Sequence, residues 1–103
     1  MFEINWIREC VKDKHYYLSK HADQERQGDN LVLREIEEAL FNGIILDRYN
    51  DTGRGKSCLV AGYSKAGKPL HIVCGLRQDW LVIVTVYIPQ PPKFKTLYER
   101  GVK

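Results

Sequence analysis

The sequence predicts an α+β domain in which N-terminal helices pack on a C-terminal antiparallel sheet of about four strands. Two observations lead to this prediction. Apolar residues up to position 43 recur at helical spacing, whereas from Ile44 onward they form runs typical of strands. Short breakers separate these runs and suit hairpins, so consecutive strands are expected to pair antiparallel. The length of 103 residues fits a single domain, residues 1–103, with one core.

Three short helices are expected in the first part of the chain. Residues 2–11 carry apolar side chains at helical spacing. Ser19 is a good N-cap for a second helix that ends at Gly28. Asn30 can cap a third helix, which is expected to stop at Gly43. The apolar stripe of this third helix contains Val32, Ile36, Ala39 and Leu40. Its charged residues are expected to face mainly solvent: Arg34, Glu35, Glu37 and Glu38.

The strands of the predicted sheet are residues 44–49, 57–63, 70–76 and 80–88. Segment 15–18 contains two tyrosines and is expected to be either a brief strand or an extended entry to the second helix.

A three-residue loop at 77–79 would place Leu76 opposite Trp80 and His71 opposite Thr85. The face with His71 would then also carry Val73, Ile83 and Tyr87. The opposite face would form the core layer: Leu70, Ile72, Cys74, Leu76, Val82, Val84, Val86 and Ile88.

His71 stands out because it lies between apolar neighbours in a predicted strand. The expected alternation gathers His71, Thr85 and Tyr87 on the face away from the core. These three side chains lie toward the proline-rich end of the strands, where a cleft could form. A single strand histidine is also commonly a hydrogen-bonded structural residue, and Tyr and Thr are ordinary strand formers. The residues alone leave both interpretations open.

The second predicted helix carries another histidine and an arginine. A helix N-terminus disfavours imidazolium, so His21 would stay neutral, as a general base requires. Glu25 follows one turn later. Arg26 has a guanidinium suited to phosphate geometry. The alternative is an ordinary solvated helix face.

The segment NDTGRGK, residues 50–56, has features of a phosphate-contacting loop. It contains two glycines, which allow close backbone approach, and two cations, Arg54 and Lys56. It lacks the P-loop spacing, which argues against nucleotide hydrolysis. It is equally typical of a flexible hairpin loop.

Composition and residue spacing indicate which partners, cofactors and cellular location to expect. The net charge of +3 mildly favours a polyanionic partner such as RNA, or an acidic protein. The chain has three cysteines without C-x-x-C spacing, which favours a reducing cytoplasm. Its three histidines are not clustered, so neither a metal nor another cofactor is expected. No stretch approaches the roughly 20 apolar residues of a membrane span, and no signal peptide is expected.

Several segments together resemble the bacterial family called domain of unknown function 4258. They are SKHADQER, EIEEALFNG, YNDTGRGKSCLVAGY, KPLHIVCG and VTVYIP, and they cover most of the chain. That family is similar to the RelE-like, barnase-like toxin fold, which includes BrnT and MqsR-type ribonucleases. The resemblance implies the toxin of a bacterial toxin–antitoxin pair, with a cognate antitoxin protein as partner.

The resemblance also implies a reaction. RelE-like ribonucleases cleave RNA without a metal, by attack of the ribose 2′-hydroxyl on the neighbouring phosphate. His71 or His21 would be the general base or acid, and Tyr87 a hydroxyl donor or a base-stacking surface. Phosphate would be stabilised by Arg26 and Arg54, with Lys56 and Thr85 as further substrate-binding residues.

Two other functions stay open from the sequence. One is a non-catalytic module that binds RNA or a protein with the same basic and aromatic residues. The other is a small structural or regulatory protein that acts through an edge strand or a helix stripe, with His71 serving only the fold. The oligomeric state is not predicted.

Overall fold

The computed structural model describes residues 3–49, 55–89, 94–96 and 99–100. The described residues confirm the α+β class, with the helices in the N-terminal part of the chain. The helices are α1 (Ile4–Lys12), α2 (Lys20–Gly28) and α3 (Leu33–Asn42). The strands are β1 (Tyr16–Leu18), β2 (Ile44–Tyr49), β3 (Ser57–Tyr63), β4 (Pro69–Arg77), β5 (Trp80–Tyr87), β6 (Phe94–Thr96) and β7 (Glu99–Arg100). Arg54 lies outside the described residues.

The main sheet is mixed and has five strands, in the order β1-β5-β4-β3-β2, rather than four antiparallel ones. Strands β2 to β5 form the expected antiparallel meander. The additional strand is β1, which pairs in parallel with β5 and places Tyr17 opposite Val82. Residues 16–18 of segment 15–18 are therefore a strand, although three residues are too few to show a period. Strands β6 and β7 form a separate two-stranded sheet.

The predicted register of the β4–β5 hairpin is wrong at both of its ends. Arg77 pairs with Trp80, so the connecting loop has two residues rather than three. His71 pairs with Tyr87 rather than Thr85: the shorter loop moves the register by one residue, and one extra residue in β5, Val84, between two consecutive pairs moves it by another. A bulge of this kind moves the following side chains to the other face.

Ser19 explains where this bulge lies. Its backbone N–H donates to the Ile83 carbonyl at 2.9 Å, and its hydroxyl donates to the Val84 carbonyl at 3.0 Å. The same hydroxyl accepts the Ala22 N–H, which confirms Ser19 as the N-cap of α2. Ile83, just before the bulge, lies in the core under the helices, whereas the prediction placed it with His71.

The helices cover one side of the sheet, which we call the helix face; the opposite side is the far face. The buried side chains of the main core are Ile7, Cys10, Val11, Ala22, Leu31, Ile36, Ala39, Leu40, Cys58, Val60, Leu70, Ile72, Cys74, Leu81, Ile83 and Val86. Helix α3 lies very close to β3. A Cβ on Gly62 would lie 2.2 Å from the Ala39 carbonyl oxygen, and a Cβ on Gly43 would lie 2.6 Å from it. Glycine is required at both positions by this close approach.

The start of α3 differs from the prediction. Asn30 has φ 57° and does not cap the helix, whose N-cap is Val32. The Val32 N–H donates to the Glu35 carboxylate at 3.1 Å, and Lys68 donates to its other oxygen at 3.0 Å. Glu35 is only 8% exposed, so the expectation that it faces solvent is also wrong. A buried carboxylate is stable here because both partners compensate for its lost hydration.

Among the described residues, none of the helices combines the length and the apolar character that crossing a bilayer requires.

Candidate functional site

His71 and Tyr87 form a polar pair on the far face of the sheet. They are direct cross-strand partners, and His71 Nδ1 lies 3.2 Å from the Tyr87 hydroxyl. Their rings meet edge to face, with centroids 5.4 Å apart. His71 is 0% exposed, whereas Tyr87 is half-buried. The His71 imidazole therefore holds the Tyr87 phenol in position through a hydrogen bond. Which of the two groups donates depends on the tautomer of the histidine.

The neighbours of His71 explain how a histidine is accommodated in this strand. Its partner on the other side is Ala61 of β3, which is also buried and whose small side chain leaves room for the imidazole. A buried polar group is stable only when it is hydrogen-bonded, and Tyr87 supplies a partner. Thr85 lies two residues before Tyr87 on the same face and is half-buried.

His21 lies in the first turn of α2, and its imidazole is exposed. Its Nε2 lies 3.2 Å from one oxygen of Glu25, one turn later on the same helix. The other oxygen of Glu25 accepts the Val86 N–H of β5 at 3.1 Å. Val86 lies between Thr85 and Tyr87 in the chain. The Glu25 carboxylate therefore connects the His21 imidazole to the strand that carries the polar pair.

The sequence alone assigns no role to Glu25. The spacing of four residues from His21 is the signal that could have assigned the ion pair. The second contact of Glu25, with the Val86 N–H, exists because α2 lies along the edge of β5 beyond the end of β1. No local pattern shows that contact.

The remaining predicted residues are placed as follows. Arg26 donates to Asp23 at 2.8 Å and to the Leu31 carbonyl at 3.3 Å, so its guanidinium joins α2 to the segment before α3. Lys56 is exposed, and its carbonyl accepts the Leu76 N–H. Leu76 lies five residues from His71 along β4, about 16 Å at roughly 3.3 Å per residue. Phosphate binding by Arg26 and Lys56 stays a prediction.

A second cluster lies at the β4–β5 turn, and the sequence analysis did not identify it. The ring of Trp80 stacks on His15 with centroids 3.9 Å apart, and Tyr17 meets it edge-on at 6.1 Å. Trp80 and Tyr17 are both exposed. The cluster forms because β1 pairs with β5, so only the three-dimensional structure brings its members together. We call His15, Tyr17 and Trp80 the aromatic platform.

Tyr16 makes a third polar contact, on the other side of β1. Its hydroxyl donates to Glu37 of α3, which also binds the Lys14 ammonium at 2.8 Å. Burial, followed by the hydrogen bond to Glu37, raises the pKa of Tyr16 far above its usual range. The phenol therefore keeps its proton and serves to join β1 to α3.

Within residues 3–49 and 55–89, no three His, Cys, Asp or Glu side chains are placed to hold a metal ion. The cysteines of this part of the chain, Cys10, Cys58 and Cys74, are buried free thiols.

A family model with the description Domain of unknown function (DUF4258) matches residues 18–88. No curated protein and no solved structure matches the chain. The matched region runs from the end of β1 to just beyond β5, so it contains His21, Glu25, His71 and Tyr87. The platform residues His15 and Tyr17 lie before it.

Proposed function

The chain belongs to this DUF4258 family, and we propose that it is a metal-independent endoribonuclease of the RelE-like kind, the toxin of a bacterial toxin–antitoxin pair. The observation that carries the proposal is the bridging carboxylate of Glu25. It contacts the exposed imidazole of His21 and also the strand that presents Tyr87. An exposed base and a positioned hydroxyl are the two proton carriers that RNA cleavage needs.

In the proposed reaction, His21 removes the proton of a ribose 2′-hydroxyl. The 2′-oxygen forms a bond to the adjacent phosphorus, and the bond from phosphorus to the 5′-oxygen breaks. Tyr87 donates its hydroxyl proton to that leaving oxygen. The products are a 2′,3′-cyclic phosphate and a free 5′-hydroxyl, after which His21 loses and Tyr87 regains a proton by exchange with water.

The neighbouring residues have supporting roles in this proposal. Glu25 orients His21 and stabilises the imidazolium that forms, and His71 holds Tyr87; both are positioning residues. Arg26 stabilises the end of α2 through Asp23 and the Leu31 carbonyl. Lys20, exposed beside His21 at the start of α2, supplies positive charge where a helix N-terminus already favours an anion.

The test compares RNA cleavage by the full chain and its variants in the presence of a chelator. We expect His21→Ala to lower the rate by about 10²- to 10⁴-fold, the usual contribution of a general base. Glu25→Gln keeps an oxygen for the Val86 N–H but loses the charge beside His21, so the rate should fall while the fold is kept. Gln24→Ala, exposed on the same helix, is the matched control.

Three results would overturn the proposal: no RNA cleavage or growth arrest by the wild type, cleavage of 2′-deoxy substrate, or loss of activity on metal removal. Full activity of His21→Ala would remove His21 from the reaction. Circular dichroism of each variant separates loss of chemistry from loss of fold.

One observation favours a second candidate, an RNA-binding module without turnover. His71 is 0% exposed, so of the two histidines considered as proton carriers only His21 can reach a substrate. Binding of intact RNA with no cyclic-phosphate product would favour this candidate over the ribonuclease.

A further inference from the structure

We infer that the aromatic platform is a stacking site for an unpaired base of RNA. The inference rests on the RNA substrate of the proposed function but not on the roles given to His21 and Tyr87. The site lies at the opposite end of β5, since Trp80 is seven residues from Tyr87, about 23 Å at roughly 3.3 Å per residue. A base held here belongs to a nucleotide away from the cleaved bond.

The platform is built on regular backbone pairing. The Leu81 N–H donates to the His15 carbonyl at 3.3 Å, and Tyr17 pairs with Val82. Alternation places Tyr17 and Trp80 on the far face, one strand apart. His15 stacks on the indole at an interplanar angle of 23°, which fixes the orientation of the ring.

The exposure of these rings indicates a binding surface. Trp80 is 40% exposed and Tyr17 is 46% exposed. They line a groove together with Leu76, Arg77 and Gln78. Adjoining exposed aromatic rings form a contiguous apolar patch of the kind that marks interaction sites, and a flat π-face suits a nucleobase of any sequence.

The charges around the groove favour RNA over an apolar protein surface. Arg77 pairs with Trp80 across the turn and is exposed in the groove. Lys56 is also exposed, and it directly precedes Ser57, which pairs with Gly75 of β4. These cations can bind the phosphates that flank a stacked base. The Gln78 amide can donate to and accept from a base edge.

A second groove, beside His15, has the opposite charge. Its lining includes His15 but neither Tyr17 nor Trp80, and it contains three carboxylates, Glu9, Asp13 and Asp79. Phosphates are repelled from that side, so the RNA backbone should follow the Arg77 side. This asymmetry gives the bound strand one path across the platform.

The experiment measures binding of a fluorescent 2′-O-methyl oligoribonucleotide by anisotropy. Its blocked 2′-oxygens prevent cleavage, so binding is measured apart from chemistry. We expect Trp80→Ala to weaken binding by about 5- to 150-fold, which corresponds to the roughly 1–3 kcal/mol that a stacked base contributes. Trp80→Phe keeps an aromatic face and should weaken binding less. Tyr63→Ala is the matched control, because Tyr63 is 44% exposed and lies at the other end of the sheet.

Unchanged binding by Trp80→Ala, equal weakening by Tyr63→Ala, or no binding by the wild type would each overturn the inference. A protein partner lost in Trp80→Ala while RNA binding persists would identify a protein-docking surface instead. Gln24→Ala, at an exposed position on α2, should bind the oligonucleotide as the wild type does. A wild type that binds at the platform but never cleaves RNA would refute the proposed ribonuclease and leave this inference standing.

Discussion

The two ends of the β4–β5 hairpin lie on the same sheet but use their far faces differently. At the open end, His71 is completely buried and hydrogen-bonded to Tyr87. At the turn, Trp80 and Tyr17 remain exposed. Burial gives the open end one fixed arrangement of polar groups, whereas exposure gives the turn a surface that a partner can cover.

The two ends also differ in their contacts with α3. The turn between β3 and β4 lies at the open end and is bound to α3 twice. Lys68 binds Glu35 at 3.0 Å, and the Lys65 N–H donates to Glu38 at 3.0 Å. At the other end, the platform is supported by β1 and by His15 just before it. Chemistry is therefore proposed at the more constrained end and recognition at the more exposed one.

Two glycines give the strongest test of this contrast. A Cβ at Gly62, near the open end, would lie 2.2 Å from a backbone oxygen of α3. A Cβ at Gly75, near the turn, meets its nearest atom at 3.5 Å, an ordinary contact. We expect Gly62→Ala to lower the free energy of unfolding by about 3 kcal/mol, and Gly75→Ala to change it by less than about 1 kcal/mol. Urea denaturation measures both free energies of unfolding. Equal losses in the two variants would contradict the proposed difference between the open end and the turn.

Side-chain removal at the two ends is the next test. His71→Ala removes a buried ring and one partner of the Tyr87 hydroxyl, so the free energy of unfolding should fall by about 2 kcal/mol. Trp80→Ala removes an exposed ring and should lower it by about 1 kcal/mol or less. Thermal and urea unfolding of the two variants give the comparison. A larger loss from Trp80→Ala would show that the platform is structural rather than a binding surface.

The sequence predicted much of the framework. The bounds of β2 and β3 match the expected runs because Gly-rich and polar breakers enclose continuous apolar segments. Ser19 was identified as a cap because its hydroxyl acts locally on the Ala22 N–H. The same hydroxyl also binds the Val84 carbonyl, and this tertiary contact accompanies the bulge that shifts the register. Alternation within a strand cannot reveal a contact with a distant helix.

The candidate site shows the same limit. His71, Tyr87 and His21 were selected from residue type and position, but the expected partner of His71, Thr85, is two residues away from the observed one. The platform was missed because it requires parallel pairing by β1, a strand of only three residues. Local spacing identified individual residues, while their partners depended on long-range pairing.

The smallest expected effect concerns Glu35, which binds the β3–β4 turn at the open end. The Val32 N–H, then the Lys68 ammonium, holds the pKa of this carboxyl below its ordinary value of 4.5. A lowered folded pKa means that the ionised carboxylate stabilises the fold above the unfolded pKa. That stabilisation is lost as the pH falls through the folded pKa.

Glu35→Gln keeps an oxygen for the Val32 N–H but removes the charge that binds Lys68. At neutral pH we expect it to lower the free energy of unfolding by about 1 kcal/mol. Because the wild-type carboxyl becomes protonated in acid, the difference between the two proteins should shrink as the pH is lowered below 4.5. Gln24→Ala, at an exposed position on α2, involves no titratable group and should show no such convergence in parallel urea titrations. A difference for Glu35→Gln that stays constant down to strongly acidic pH would mean that the charge of Glu35 does not stabilise the open end.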